Sequence, residues 1–377
     1  VDRVNTVNIQ PQIATLFMGD FAKDLDQHHD RAVIDLNMGP APGLSGPVTQ
    51  KFAQWLKLRR YARHAAKRLI EQTREFQPDA FHVIWPNLVG VAGLAASQVN
   101  APCFWEMPNY ISDRYPLGLN RRMYQRQCAK LGVTPLANSA YTASTLGSSP
   151  VKPIVMHLSA DAQRFDPQTV QAVTREELGI PEDAAVIGIM ARLSTAKGQY
   201  RLTEALAELH RTQTASASDV HLLFPGGPVD GEQAERIRQL AQQTGEDFAR
   251  RIHMPGEVRD PQRYYPVMNI SANLRPDPEP FGISVVESML MGVPVMAHAL
   301  GGPAETVIDG QTGWHLSDMA PATIVQGLRR ALTDRPNWPQ LASAAREHAL
   351  EHFTAEAQAR RYRAAVDHVM QQREAVL

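Results

Sequence analysis

Two carboxylates eight positions apart, Glu279 and Glu287, lie within the stretch Pro278-Glu279-Pro280-Phe281-Gly282-Ile283-Ser284-Val285-Val286-Glu287. Its pattern predicts a loop, a helix, a glycine turn at Gly292 and a following strand. Gly282 permits close backbone approach. The helix after it opens with free N–H groups and the positive end of its dipole, an anion site suited to phosphate. Glu279 falls in the loop and Glu287 about one turn into the helix, so both can face the crevice beyond the strand ends. One can accept hydrogen bonds from sugar hydroxyls and the other from a ribose. Taken alone, the pair also suits a surface helix cap.

Upstream, Gly188-Ile189-Met190-Ala191-Arg192-Leu193-Ser194-Thr195-Ala196-Lys197-Gly198 reads as a strand and a loop with two cations. Arg192 offers a planar fork and Lys197 a point charge, a pair matched to the two phosphates of a diphosphate. Glycine pairs follow two more strands, Gly226-Gly227 after Leu223-Phe224 and Gly301-Gly302 before Glu305. All four segments fall at carboxyl ends of strands, the edge where open α/β sheets bind ligands.

The elements that would position these residues are short apolar runs alternating with helical stretches. Strands are predicted at 32–36, 81–85, 103–105, 134–137, 154–156, 185–190, 220–224, 270–274 and 293–297. Near-continuous apolar strands separated by helices indicate parallel sheets covered on both faces. The expected fold class is α/β with two Rossmann-like domains, 1–167 and 168–345, followed by a terminal helix over 346–377 that packs across both. Length agrees, since 377 residues suit about two domains.

Composition excludes several classes. Lys+Arg 38 against Asp+Glu 39 leaves a net charge of -1, so no dedicated nucleic-acid binder is expected. No apolar run approaches the roughly 18 residues of a membrane span. Cys103 and Cys128 are the only cysteines and form neither a CxxC pair nor a metal cluster; buried, reduced thiols are expected. The chain begins with Val1, and no basic stretch leads into an apolar segment, so a cytoplasmic location is expected.

Arg192 with Lys197-Gly198, the E-x7-E of Glu279 and Glu287 within EPFGISVVES, Gly301-Gly302 with Glu305, and Asp309-Gly310-Gln311-Thr312-Gly313 together resemble the retaining family-4 glycosyltransferases of the GT-B fold. Ser159 to Phe165 and Asn138-Ser139-Ala140-Tyr141 extend the similarity upstream. The resemblance implies a nucleotide-sugar donor held by the C-terminal domain and a hydroxyl acceptor, whether glycan, lipid-linked or small molecule, on the N-terminal side. Arg192 and Lys197 would neutralise the diphosphate and Glu279 would contact the transferred sugar, these three forming the catalytic set. Gly226, Gly227, Phe281, Gly282, Ile283, Ser284, Gly301 and Gly302 would line the donor, with Glu287 on the ribose. Catalysis would rest on charge stabilisation at the leaving diphosphate. No cofactor and no metal are expected, although Asp24-Leu25-Asp26 has the spacing of a metal-binding DxD.

Departures from the family pattern are also visible. Val1 to Asp20 holds only the lone Gly19 where a glycine-rich loop is usual, and Glu106-Met107-Pro108-Asn109-Tyr110 stands where a loop histidine is usual. Glu106, Asn109 and Tyr110 are the acceptor-side candidates. Arg275-Pro276 replaces a usual Pro-Ser. These departures keep two alternatives open, a noncatalytic nucleotide-sugar-binding subunit and a sugar-nucleotide epimerase. Lys51 to Glu75 carries eight basic residues against two acids. Trp55, Leu58, Ala62, Ala65 and Leu69 share its inward face, while Arg59, Arg60, Arg63, Lys67 and Arg74 share the opposite one with Leu56 and Ile70. Such a face suits an anionic membrane surface.

Overall fold

Alternation along each strand decides which core a side chain enters. The computed structural model describes residues 12–16, 23, 33–40, 48–112 and 119–375. They divide into two compact units, Val1–Met156 with Ala359–Leu377, and His157–Gln358.

In the first unit, β1 (Ala14–Thr15) pairs in parallel with β2 (Ile34–Asp35). Helix α1 (Val48–Gln72) leads to β3 (Phe81–Val83), α2 (Val89–Gln98), β4 (Cys103–Met107), α3 (Leu119–Leu131), β5 (Val133–Ala137), α4 (Ala140–Thr145) and β6 (Ile154–Val155). Strands β3 to β6 form one parallel sheet in chain order. On β4, Cys103, Trp105 and Met107 face a core shared with Ala65, Ala66 and Leu69 of α1, whereas Phe104 points to the other face beside Leu136 and Met156. Both cysteines are buried and unbonded. Burial pushes each thiol up to about 12, with Cys128 adding to the effect at Cys103.

The second unit contains β7 (Ala185–Gly188), α5 (Gln199–Arg211), β8 (Val220–Pro225), α6 (Glu232–Thr244), α7 (Glu246–Ala249), β9 (Ile252–Gly256), β10 (Ile270–Asn273), α8 (Ile283–Leu290), β11 (Val295–His298), α9 (Pro303–Thr306), β12 (Gly313–Leu316), α10 (Pro321–Thr333) and α11 (Trp338–His352). Its six strands are parallel in the order β12-β11-β10-β7-β8-β9. Ile187, Leu222, Phe224 and Ile270 face α5, α6 and α10, while Val186, Leu223, Val295 and Ala297 face α8 and α11. Each face is apolar and covered, which explains the continuous apolar runs. Strands β9 and β12, absent from the sequence expectation, are the two edges. Pro255 and His253 in β9 and His315 in β12 blur the apolar signal, and an edge strand tolerates them.

Three expectations change. The units divide at Met156–His157 rather than after 167, because Leu158, Ala160, Ala162 and Phe165 pack into the second core. The Ala160 amide donates to Phe353 O (3.0 Å), and Arg346 pairs with Asp166 (2.9 Å). The terminal helical run is two helices: α11 ends at His352, and α12 spans Ala355–Glu374. Phe353 turns inward between them, and Thr354 Oγ1 accepts the Ala357 amide at the start of α12 (3.2 Å). From Ala359 onward α12 belongs to the first unit, where Tyr362, Ala365, Val366 and Val369 cover Phe104 and Leu136. Finally, Ile70 packs against the core of the first unit instead of sharing the basic face, which leaves Leu56 (43% exposed) as the apolar member there.

Candidate functional site

Strand β7 has β8 on one side and β10 on the other, so the connection leaving β7 runs one way and the chain later returns to build β10, β11 and β12 on the opposite side. At such a reversal the loops beyond neighbouring strands diverge and open a crevice at the carboxyl edge. Arg192 and Lys197 follow β7, and Arg275 and Glu279 follow β10, so the charged residues flank the reversal.

Glycine contacts draw the loops together. A Cβ on Gly226, whose φ is +145°, would collide with the Ala191 carbonyl; its absence lets the loop after β8 lie on the one after β7. There the Leu193 amide donates to Gly227 O at 2.8 Å. The buried Gln199 adds a clamp, its Nε2 donating to the Ala191 and Arg192 carbonyls at 3.2 and 3.0 Å. Gly301 and Gly302 act likewise toward the loop after β10. Side chains there would strike the backbones of Glu279 and Phe281, and the Gly302 amide donates to Glu279 O at 2.8 Å.

Gly282, at φ +88°, turns the chain into α8, whose first amides belong to Ile283 and Ser284 and have no intrahelical carbonyl to meet. Ile283 is exposed beside them, whereas Phe281 is buried. Glu287 lies one turn in and is held by the buried Tyr265, whose hydroxyl lies 3.0 Å from Glu287 Oε2 and 3.2 Å from Ser284 O. Burial raises the Glu287 carboxyl above the usual carboxylate value, opposed by the Tyr265 hydrogen bond and then by Arg164. Burial, with the Glu287 charge next to it, pushes the Tyr265 phenol well up.

Glu279 does not stand alone between the loops. Arg275 Nη1 lies 3.1 Å and Lys197 Nζ 3.7 Å from its Oε2. Arg192 is exposed at the mouth of its loop. Glu305 in α9 meets His157 Nε2 at 3.0 Å, and the His157 ring stacks on Phe281 with centroids 5.9 Å apart. The donor-side residues expected from sequence therefore lie on the loops that follow β7, β8, β10 and β11 and on the first turns of α8, all in the second unit. Tyr265, Gln199, His157 and His298 were missed. Tyr265, His157 and His298 carry no local signal because each acts on a partner distant in sequence, whereas Gln199 meets carbonyls only seven and eight positions upstream. Arg275 was visible only as a departure from the family pattern.

The acceptor-side candidates belong to the first unit. Glu106 on β4 meets His82 Nε2 at 3.2 Å, Asn109 is exposed, and Tyr110 makes an edge contact with Tyr141 at 6.0 Å. Asn138 Nδ2 donates to Pro108 O at 2.9 Å and holds that turn. Asp24 and Asp26, like Gly19, lie outside the described residues. Among the described residues no three His, Cys, Asp or Glu side chains gather as metal ligands.

Residues 170–348 match the family model described as Glycosyl transferases group 1. The matched segment contains every donor-side residue expected from sequence. Among curated relatives, the D-inositol 3-phosphate glycosyltransferase of Corynebacterium urealyticum is 30% identical over 197 residues, covering 51% of this chain and 46% of that one. The lipopolysaccharide 1,2-N-acetylglucosaminetransferase of Salmonella typhimurium is 28% identical over 242 residues, with 62% and 61% covered. The chain thus spans about half the length of the curated relatives it matches. Solved structures agree over more of the chain. A glycosyltransferase from Rickettsia africae superposes with a TM-score of 0.74 at 19% identity, covering 97% of this chain and 92% of that one. Anabaena HepE in complex with UDP superposes with a TM-score of 0.71 at 20% identity, covering 95% and 100%. At these identities the likeness establishes the fold, and the fold is GT-B.

Proposed function

We propose that the protein is a retaining glycosyltransferase that moves a sugar from a nucleoside diphosphate sugar to a hydroxyl acceptor without a metal ion. The observation that carries this reading is that the loops bearing Arg192, Lys197 and Glu279 leave the adjacent strands β7 and β10 at the sheet reversal, with Lys197 3.7 Å from Glu279 and the start of α8 just after it, inside the matched segment. As the anomeric carbon parts from the phosphate oxygen, negative charge grows on the diphosphate. Arg192, Lys197 and the Ile283 and Ser284 amides stabilise that charge. Glu279 meets the sugar hydroxyls, and Glu287, steadied by Tyr265, accepts from the ribose. With retention, the acceptor oxygen attacks from the side the diphosphate leaves, and its proton passes to the departing phosphate oxygen. Cations and amides occupy the place where a metal-using enzyme sets carboxylates.

A uridine diphosphate sugar is the first donor to test, because HepE has been solved with UDP and with UDP-glucose. The acceptor is a glycan or lipid-linked hydroxyl, held near Glu106, Asn109 and Tyr110. Among the described residues no helix is long and apolar enough to cross a membrane. Exposed Lys57, Arg59, Arg60, Arg63 and Lys67 around exposed Leu56 support peripheral attachment of α1 at a cytoplasmic face. Screening nucleoside diphosphate sugars for thermal stabilisation, then for sugar transfer, tests the whole reading. A bound donor raises apparent stability by mass action. Stabilisation by no member of the panel would sink the proposal, and stabilisation without transfer to any acceptor would favour a noncatalytic binding subunit.

A further inference from the structure

Lys197 faces two demands under the reading above. It must meet the donor diphosphate, yet its ammonium group lies 3.7 Å from Glu279. A largely buried carboxylate competes with phosphate for the same cation, and the competition is strong where water is scarce: the Glu279 side chain is only 13% exposed. Arg275 is the nearer partner of that carboxylate at 3.1 Å. Charge counting assigns the four groups. Arg275 balances Glu279, leaving Lys197 and Arg192 for the two phosphates. Without Arg275, Lys197 would have to serve both carboxylate and phosphate.

Two contacts hold Arg275 in place for this. The buried His298 at the end of β11 has Nδ1 2.7 Å from the Arg275 carbonyl, which can only accept, so the proton sits on Nδ1 and the ring pins the backbone there. Gly198, directly after Lys197, packs where a Cβ would strike Leu274, directly before Arg275, so the two cation-bearing loops touch.

We propose that Arg275 is a positioning residue that takes over the Glu279 carboxylate and so releases Lys197 to the donor diphosphate. This rests on the nucleotide-sugar reading of the site and adds a division of labour among its cations. On donor binding, Lys197 moves from carboxylate to phosphate while the Arg275–Glu279 pair persists and keeps Glu279 aimed at the sugar.

The test is a thermodynamic cycle on the full chain, read by titration with UDP, ADP and GDP. R275A is expected to weaken binding of the preferred diphosphate about ten-fold, the size of a strong pairwise coupling. R275K, which keeps the charge, should stay near wild type. The decisive species is R275A/E279Q: with no carboxylate left to sequester Lys197, its affinity should return to that of E279Q. A loss that merely reflected a damaged loop would persist in the double variant. Persistence there, or an R275A affinity equal to wild type, overturns the role of Arg275 while leaving the site reading intact. Failure of the wild type to bind any of the three diphosphates overturns both.

Discussion

Replacing Tyr265 with Phe removes one oxygen from the second core and leaves the ring in place. The hydroxyl has a single proton and two acceptors within reach, Glu287 Oε2 at 3.0 Å and Ser284 O at 3.2 Å, and the carboxylate is both nearer and more strongly accepting. A hydrogen bond to a charged group contributes about 1.5–3 kcal/mol and one between neutral groups about 0.5–1.5 kcal/mol. Tyr265 is fully buried, so the variant cannot recover the bond from water on that side. The expected loss near pH 7 is therefore about 2 kcal/mol. The pH dependence has a definite sign. The Glu287 carboxyl is already raised by burial, so its protonated form favours the fold below the unfolded value, and that contribution is lost as pH rises through the folded value. The Tyr265 bond opposes the rise, so Tyr265→Phe pushes the carboxyl further up and its cost grows with pH. Urea denaturation at pH 4.5 and pH 7.5 reads this directly, and nucleotide titration at pH 7.5 should show weaker binding because Glu287 is less fixed. A loss below about 0.5 kcal/mol at pH 7.5, or one that is larger at pH 4.5, would refute the argument.

Arg192→Ala and Lys197→Ala should each weaken the donor by about 1.5–3 kcal/mol, with a larger loss in turnover as leaving-group charge develops; unchanged binding and rate in both would remove them from the site. His221 and His253 share a 2.9 Å contact between β8 and β9, and burial, then His253, lowers His221 to about 4, while burial lowers His253. The fold then binds fewer protons than the unfolded chain, so stability falls as pH drops from about 6.5 to about 4, by roughly 1–2 kcal/mol after allowing for partial exposure. His221→Gln should flatten that acid limb; an unchanged limb would rule the pair out as its source. Sugar transfer should survive EDTA, and loss of activity restored by manganese would contradict the metal-free scheme. Reversing Arg59, Arg63 and Lys67 to Glu should abolish flotation with anionic vesicles, each basic group contributing on the order of 1 kcal/mol. A wild type that ignores such vesicles at low salt would make α1 a solvated face.

Residue type and local period determined much of this protein from the sequence alone. Arg192 with Lys197-Gly198 and Glu279 with Glu287 were legible as a candidate site because their spacing is local. The buried central strands were legible because both faces of each are apolar. What tertiary structure decided was the partner of each charge. Tyr265 reaches Glu287, Lys197 meets Glu279 across 82 positions, and His157 meets Glu305 across 148 positions, because the fold brings their separate segments together. The same dependence moved the division between the units to Met156–His157, since Leu158 to Phe165 pack according to which core is within reach. Periodicity reports which side of its own element a residue faces. Which other element arrives there is set by strand order and close backbone contact, and these exist only once the chain has folded.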